Sequence, residues 1–339
     1  MVTLREVAQR ARVSVKTVSR IVNGDPFVKL ETRKSVQALL DEMNYVPDAA
    51  ARLMRGGASN VVGLMTDVVA TTPYTGDIVR GVQSRLKAMG KTLLIANTEG
   101  DAELEQEYWR MFRAHKVSGA VYATMYHRAL DISRPDFNRA IVLANCFASS
   151  GARACVLPDD EGGGCSQAAC LLWLGHRRVA VISLNPILVA TNLRAAGMRR
   201  AFAEAGVGFD ADLERPGYAG PLDREVLNGF DVALAMLRAP RRPTAIICGN
   251  DKVAMQVYAA AAQCGLAVPH DLSVMGFDDM TVITETLRPR LTSVGLPYFA
   301  IGQAAADLLG DASGNDAGFA PRLLVPCPLV ERESCRALV

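Results

Sequence analysis

The sequence predicts an α/β protein: an N-terminal all-α helix-turn-helix headpiece followed by two doubly wound parallel-sheet subdomains. Three observations carry this. From residue 61 onward, short apolar runs of strand length alternate with amphipathic segments; the first 57 residues show helical spacing instead; and the excess basic charge sits in that first part. At 339 residues the chain is too long for one ordinary core, so two or three domains are expected.

In the headpiece, Leu4, Val7, Ala8 and Ala11 recur at helical spacing, and Val15, Val18, Ile21 and Val22 form a second set beginning just after Ser14. Ser14 can cap the second helix through its hydroxyl, which leaves Arg12 and Val13 as the turn. Such a unit puts the N-terminus of its second helix into the major groove of DNA. Val15, Lys16 and Arg20 then meet base edges, with Arg20 the guanine reader, while Ser14, Thr17 and Ser19 suit phosphates. Two short surface helices of a bundle would share this spacing, so spacing alone leaves that alternative open. Residues 23–29 read as a loop, and 31–43 as a third helix whose Val36, Leu39, Leu40 and Met43 close a small core. Residues 47–54 read as a short helix between a proline start and Gly56-Gly57, too short to be stable alone in water.

Residues 1–57 carry 10 Lys/Arg against 6 Asp/Glu, and the remainder 27 against 29. A small nucleic-acid module on a near-neutral body has this distribution. Charges at Arg5, Glu6, Arg10 and Arg12 exclude a secretory signal, and no stretch reaches spanning length, so a cytoplasmic protein with no membrane partner is expected. The 8 cysteines contain no CxxC pair, and Cys170, Cys248 and Cys264 lie in apolar segments. They read as reduced core residues, with no metal and no cofactor.

Beyond the headpiece, strand-like runs fall at 61–64, 92–96, 120–122, 141–144, 179–182, 245–248 and 272–277. Amphipathic segments fall at 77–89, 103–114, 167–174, 193–205 and 253–264. One sheet would be very large, whereas two subdomains with facing strand ends enclose a cleft, where open α/β sheets bind ligands. The chain has no GxGxxG, Walker, GxSxG or HExxH pattern, and His115, His127, His176 and His270 are scattered singly, so no catalytic residues are expected. Gly162 to Gly164 read as close packing at a helix start. His176 reads as a loop or helix-end residue. Arg194 and Asp278 each lie beside an apolar element, and together offer five fixed donors and a carboxylate to the adjacent hydroxyls of a sugar. A structural salt bridge is the alternative, and a structural role is preferred for Asp251 and Asp279.

The run TLREVAQRARVSVKTVSRIVNG, with ETR at 31–33 and NYVPDAAARLMRGG at 44–57, resembles the DNA-binding headpiece of the lactose-repressor family. DDEGGG at 159–164, GHRRVAVI at 175–182, NLRAAG at 192–197, GND at 249–251, VPHDLSVMGFDD at 268–279 and PRLTSV at 289–294 resemble that family's effector core, itself like periplasmic sugar-binding proteins. The resemblance implies a headpiece over 1–46, a hinge helix and linker over 47–59, and an effector core over 60–339. Within the core it implies a first subdomain of 60–158 and 289–319 and a second of 159–288 and 320–339, with crossings near Pro158, Arg288 and Phe319.

It further implies DNA contacts by Thr3, Ser14, Val15, Lys16, Thr17, Ser19, Arg20 and Asn23, with Ala51 and Met54 in the hinge. Met54 stands where the family carries an apolar minor-groove wedge, and Leu53 competes for that role. Arg194 and Asp278 become effector-binding residues, joined by Tyr74, Asn145, Asp159, Tyr218 and Asn250; the tyrosines either stack on a sugar face or fill core. Arg12 departs from the family's Gly or Asn at a turn position tolerant of positive φ, at a cost of about 1 kcal/mol. The implied partners are a pseudo-palindromic double-stranded DNA operator, a second copy of the chain, and a small effector, a sugar or sugar derivative. A nucleobase is the alternative effector, which the apolar Leu188 and Ala190 disfavour. A ligand-binding protein without a DNA role would carry a signal peptide in place of the headpiece, and a nucleotide-dependent enzyme a phosphate loop. Residues 311–318 read as a flexible loop, and the absence of a terminal heptad repeat predicts dimers and not coiled-coil tetramers.

Overall fold

The computed structural model describes residues 2–22, 25–45, 59–72, 75–132, 137–311 and 320–338. The chain divides into two compact units, Met1–Ser59 and Asn60–Val339. The predicted hinge helix, with Ala51 and Met54, lies outside the described residues, as do Asn23, Tyr74 and Phe319.

The first unit contains helices α1 (Leu4–Arg10), α2 (Val15–Val22) and α3 (Leu30–Glu42). Val7, Ala8, Val18, Ile21, Val36 and Leu40 form its buried core. A capping box opens α1: Thr3 Oγ1 accepts from the Glu6 amide at 3.3 Å, and the Thr3 amide donates to the Glu6 carboxylate at 2.7 Å. Ser14 Oγ accepts from the Thr17 amide at 3.0 Å, which is the cap predicted for α2. Arg12 turns the chain between the helices with φ 55°, the left-handed conformation that a side chain resists by about 1 kcal/mol. Val15 does not join the core. It is 43% exposed, because the stripe meeting α1 and α3 starts one turn later, at Val18.

The second unit holds two six-stranded sheets. The first runs β13 (Arg322–Val325), β5 (Cys155–Pro158), β4 (Ile141–Ala148), β3 (Ala120–Leu130), β1 (Val61–Thr66), β2 (Thr92–Asn97), with every pairing parallel. Helices α4 (Gly76–Ala88) and α11 (Tyr298–Asp311) cover one face and α5 (Ala102–Ala114) the other, giving one apolar core per face. The second sheet runs β14 (Leu329–Val330), β12 (Thr292–Gly295), β11 (Ser273–Asp278), β10 (Ala245–Cys248), β6 (Val179–Ser183), β7 (Glu214–Pro216). Its pairings are parallel apart from β14, which runs against β12. Helices α6 (Asp160–Trp173) and α7 (Val189–Glu204) cover one face, and α8 (Gly229–Leu237) and α9 (Asp251–Gln263) the other. A hairpin, β8 (Tyr218–Ala219) with β9 (Val226–Leu227), and a single helical turn, α10 (Thr281–Thr284), flank this sheet. Helices on both faces of parallel sheets explain why the strands read as continuous apolar runs.

Two of the expected crossings move. Thr292–Gly295 pairs with β11 in the second sheet, so the chain crosses at residues 296–297 and not near Arg288. Arg322–Val325 still pairs with β5 in the first sheet, so the last crossing falls at 326–328 and not near Phe319. Both strands have only four residues, one with polar threonine and serine and the other, Arg-Leu-Leu-Val, mostly exposed at a sheet edge, so both are set by their neighbours more than by their own pattern. The first crossing lies between β5 and α6, beside Pro158.

Helix α6 starts at Asp160, earlier than its apolar pattern implies, and takes Gly162 to Gly164 into its first turns. There α6 and α7 touch backbone to backbone: a Cβ at Gly197 would lie 1.9 Å from the Glu161 carbonyl oxygen, and one at Gly164 would lie 2.2 Å from that of Arg194. This contact sets Asp160 beside Arg194. His176 follows α6 but is buried, hydrogen-bonded to Thr244, Ser273 and the Arg336 carbonyl, and it ties the C-terminal segment to the second sheet. All eight cysteines are free thiols, four of them buried.

Candidate effector cleft and nucleic-acid interface

On the headpiece, Ser14, Val15 and Lys16 are exposed at the start of α2, and Thr17, Ser19 and Arg20 are half-buried along it. Ser14 Oγ and Thr17 Oγ1 are 2.8 Å apart. The Arg20 Nε donates to Asp25 Oδ2 at 2.7 Å, and the other oxygen of Asp25 accepts from the Phe27 amide at 2.9 Å. These bonds, led by that of Arg20, hold the Asp25 carboxyl below the usual range and the guanidinium above its own. Asp25 thus fixes the rotamer of the candidate base reader. Sequence reasoning missed Asp25 because it lies five residues away, in the stretch read as a loop.

In the second unit a cleft of about 900 Å³ opens between the subdomains, at the strand ends where the chain crosses. One wall depends on a break in β3. The register of β3 on β4 shifts between Ala123 and Arg128. Asn145, at φ 58°, pins the irregularity by donating Nδ2 to the carbonyls of Thr124 at 2.9 Å and Met125 at 3.0 Å. Asp67 accepts from the Met125 amide at 3.0 Å. The bulge re-aims the next two side chains, Tyr126 and His127, which both line the cleft.

The opposite wall is built around Arg194, 5% exposed, whose guanidinium carbon lies 3.4 Å from the centroid of the Phe277 ring. Its Nε donates to Asp160 Oδ1 at 2.8 Å and its Nη1 to the Gly249 carbonyl at 2.7 Å. Asp278 stands 4.0 Å from Nη1, so the expected Arg194–Asp278 pair is present but loose, and the close partner is Asp160. Asp160 Oδ2 also meets His127 Nδ1 at 2.8 Å. Burial works against the Asp160 carboxylate, but the charge of Arg194 and the bond from His127 outweigh it and hold the group below its usual range. Asp278 goes the other way: burial, with the charge of Asp160 adding to it and Arg194 opposing, pushes it up to about 7.

The remaining expected cleft residues separate. Asn250 donates to the Tyr218 hydroxyl at 2.9 Å and caps α9 by accepting from the Val253 amide at 3.0 Å; both residues line the cleft. Asn145 also lines it, but its Nδ2 is committed to β3. Asp159 is corrected: it is the N-cap of α6, accepting from the Gly162 amide at 2.9 Å, and its neighbour Asp160 faces the cleft. A helix can turn only one of two consecutive side chains to a given wall. Asp251 accepts from Ser293 Oγ at 2.7 Å, and Asp279 pairs with Arg332 at 2.8 Å while also lining the cleft. Leu188 and Ala190 contribute apolar wall. Two lining groups are polar, buried and without a partner among the described residues: Thr75 Oγ1 and His127 Nε2.

The profile of the bacterial regulatory proteins, lacI family, matches residues 3–48, and that of the periplasmic binding protein-like domain matches residues 168–335. A sucrose operon repressor from Escherichia coli is 31% identical over 98% of this chain and 99% of its own length. The chain belongs to the lacI family. Another relative, the HTH-type transcriptional repressor PurR of Erwinia tasmaniensis, is 32% identical over 98% of this regulator and 97% of its own length. Among solved structures, the lac repressor dimer bound to operator and the anti-inducer ONPF superposes with a TM-score of 0.80, at 26% identity over 99% of both chains. The regulator's similarity to these proteins spans both of its units. No helix among its described residues is long and apolar enough to cross a membrane.

Proposed function

We propose that this lacI-family regulator is a cytoplasmic, homodimeric repressor with no catalytic activity, and that a neutral sugar or sugar derivative in the cleft sets its operator affinity. The observation that carries the effector reading is the wall formed by Arg194, Asp278 and Asn250: fixed donors and a carboxylate set beside one another in a cleft of sugar-accommodating size. Tyr218, and Tyr74 outside the described residues, would stack on the ring. The name of the sucrose operon repressor is consistent with this. A second reading, a nucleobase, has its own support in the name of the PurR relative and in the cleft tyrosines Tyr126, Tyr218 and Tyr298, which offer stacking faces. Leu188 and Ala190 favour the sugar, since a base edge would leave its polar atoms against them. A thermal-shift screen of neutral sugars and nucleobases decides: a ligand at a hundredfold its Kd stabilises by about 2.7 kcal/mol.

On DNA, Val15, Lys16 and Arg20 read base edges in each half-site, and Thr3, Ser14, Thr17, Ser19 and Asn23 hold phosphates. Ala51 and Met54 enter the minor groove between them. Arg20→Ala is expected to weaken the selected operator about 10- to 100-fold and to relax one base position, with non-specific binding little changed. Binding-site selection with the variant checks this; an unaltered base preference contradicts it.

The raised Asp278 gives a pH signature. A sugar hydroxyl donates to the carboxylate form, which at Asp278 is complete only above about 7. Sugar affinity should therefore rise about tenfold between roughly pH 6 and 8. Calorimetric titration across that range tests it, and a flat or falling profile would remove Asp278 from the contact set.

A further inference from the structure

Three charged or polar side chains form a continuous hydrogen-bonded line across the junction of the two subdomains. Arg194 lies on α7 and Asp160 on α6, both in the second subdomain, while His127 projects from the β3 bulge of the first. The two links, Arg194 Nε to Asp160 Oδ1 and Asp160 Oδ2 to His127 Nδ1, are each 2.8 Å long. All three residues are at least nine-tenths buried. Within the second subdomain Arg194 is also held by the Gly249 carbonyl and by the Phe277 ring, so its guanidinium moves with that body. On the other side, the bulge is pinned to the first sheet by Asn145 and Asp67. Each end of the line is therefore rigid in its own subdomain, and the bond that crosses is His127 to Asp160.

We infer that His127 and Asp160 are positioning residues, the relay through which a ligand on Arg194 sets the placement of one subdomain against the other. The inference rests on the effector reading above and adds to it the residues that transmit the signal. Because Asp160 binds Arg194 through one oxygen and His127 through the other, a ligand that draws on the charge of the fixed guanidinium changes how strongly the carboxylate holds the imidazole. The carboxylate is an acceptor, so the ring donates from Nδ1, and in the neutral ring Nε2 is then a buried acceptor with no partner among the described residues. A subdomain arrangement that brought a donor to Nε2 would remove the cost of leaving it unsatisfied, and this is the difference in free energy that a ligand could draw on.

The test uses the full chain and a duplex enriched by it from a randomised library. The probes are sucrose, D-glucose and D-ribose, with hypoxanthine and guanine as the nucleobase arm. For the parent, a stabilising probe should change operator affinity about 5- to 150-fold. His127→Phe, which keeps a ring of similar size but offers no donor, should reduce that response, read at saturating probe, to less than about threefold. His127→Asn, whose amide can replace the Nδ1 donor, should restore most of the response, and His127→Gln, which mimics Nε2, should not. Should His127→Phe fail to fold, the Asn and Gln pair carries the same contrast. A full response in both His127→Phe and His127→Gln would overturn the relay, as would a response lost in strict proportion to probe binding. If the parent responds to no sugar but does respond to a nucleobase, the sugar reading fails while the same three variants still judge the relay. If no probe stabilises the parent, the effector reading fails and takes the relay with it.

Discussion

Arg194→Ala should lower the stability of the effector core by about 3 to 5 kcal/mol and abolish ligand binding in the cleft. The first effect follows from burial. Asp160 is 1% exposed and loses the cation that keeps it ionised, and an uncompensated buried charge is far more costly than the intact pair is stabilising. The second follows from the loss of the fixed fork that faces Asp278. A salt bridge and a binding group are alternatives from the sequence, whereas Arg194 makes the salt bridge and lines the cleft at once. Arg194→Ala/Asp160→Asn separates the two roles: removing the orphaned charge should recover much of the stability, and ligand binding should stay lost. Urea unfolding and calorimetric titration of both variants check this. Recovery of binding in the double variant would mean that Arg194 only holds the fold.

Gly197→Ala should cost about 3 kcal/mol or more, although alanine is the better helix former by about 1 kcal/mol. The added Cβ would fall 1.9 Å from the Glu161 carbonyl oxygen and 2.7 Å from the Cys165 amide, both backbone atoms that no rotamer change can move aside. Helices α6 and α7 must separate, and they carry Asp160 and Arg194, so ligand affinity should fall together with stability. The urea midpoint should drop with an unchanged slope. A raised midpoint would show that the helix contact is looser than described.

Much of the molecule is legible from local pattern. The headpiece helices, the Ser14 cap, the turn at Arg12 and Val13 and seven of the central strands follow from spacing and turn chemistry over a few residues, while the strain at Arg12 follows from the family resemblance. What escaped depends on distant pairing. Thr292–Gly295 and Arg322–Val325 are strands because of their neighbours β11 and β5; each has only four residues, the first with polar Thr and Ser and the second lying exposed at a sheet edge, so neither announces itself. The cleft shows the same division. Arg194, Asn250, Tyr218 and Asp278 could be named from motifs, but the choice between Asp159 and Asp160 turns on the helix start, which the glycine run obscured. His127 had no local signal at all. It matters because a bulge in β3, held by Asn145 and Asp67, delivers it to an aspartate 33 residues away.

The central claim is that occupation of the cleft changes operator affinity, and a fluorescence titration of the selected operator, with and without a sugar that stabilises the full chain, tests it most directly. A shift of about 5- to 150-fold in operator Kd, absent in Arg194→Ala, is the predicted result. An operator Kd unchanged within about twofold, at a sugar concentration that saturates the protein, would contradict it.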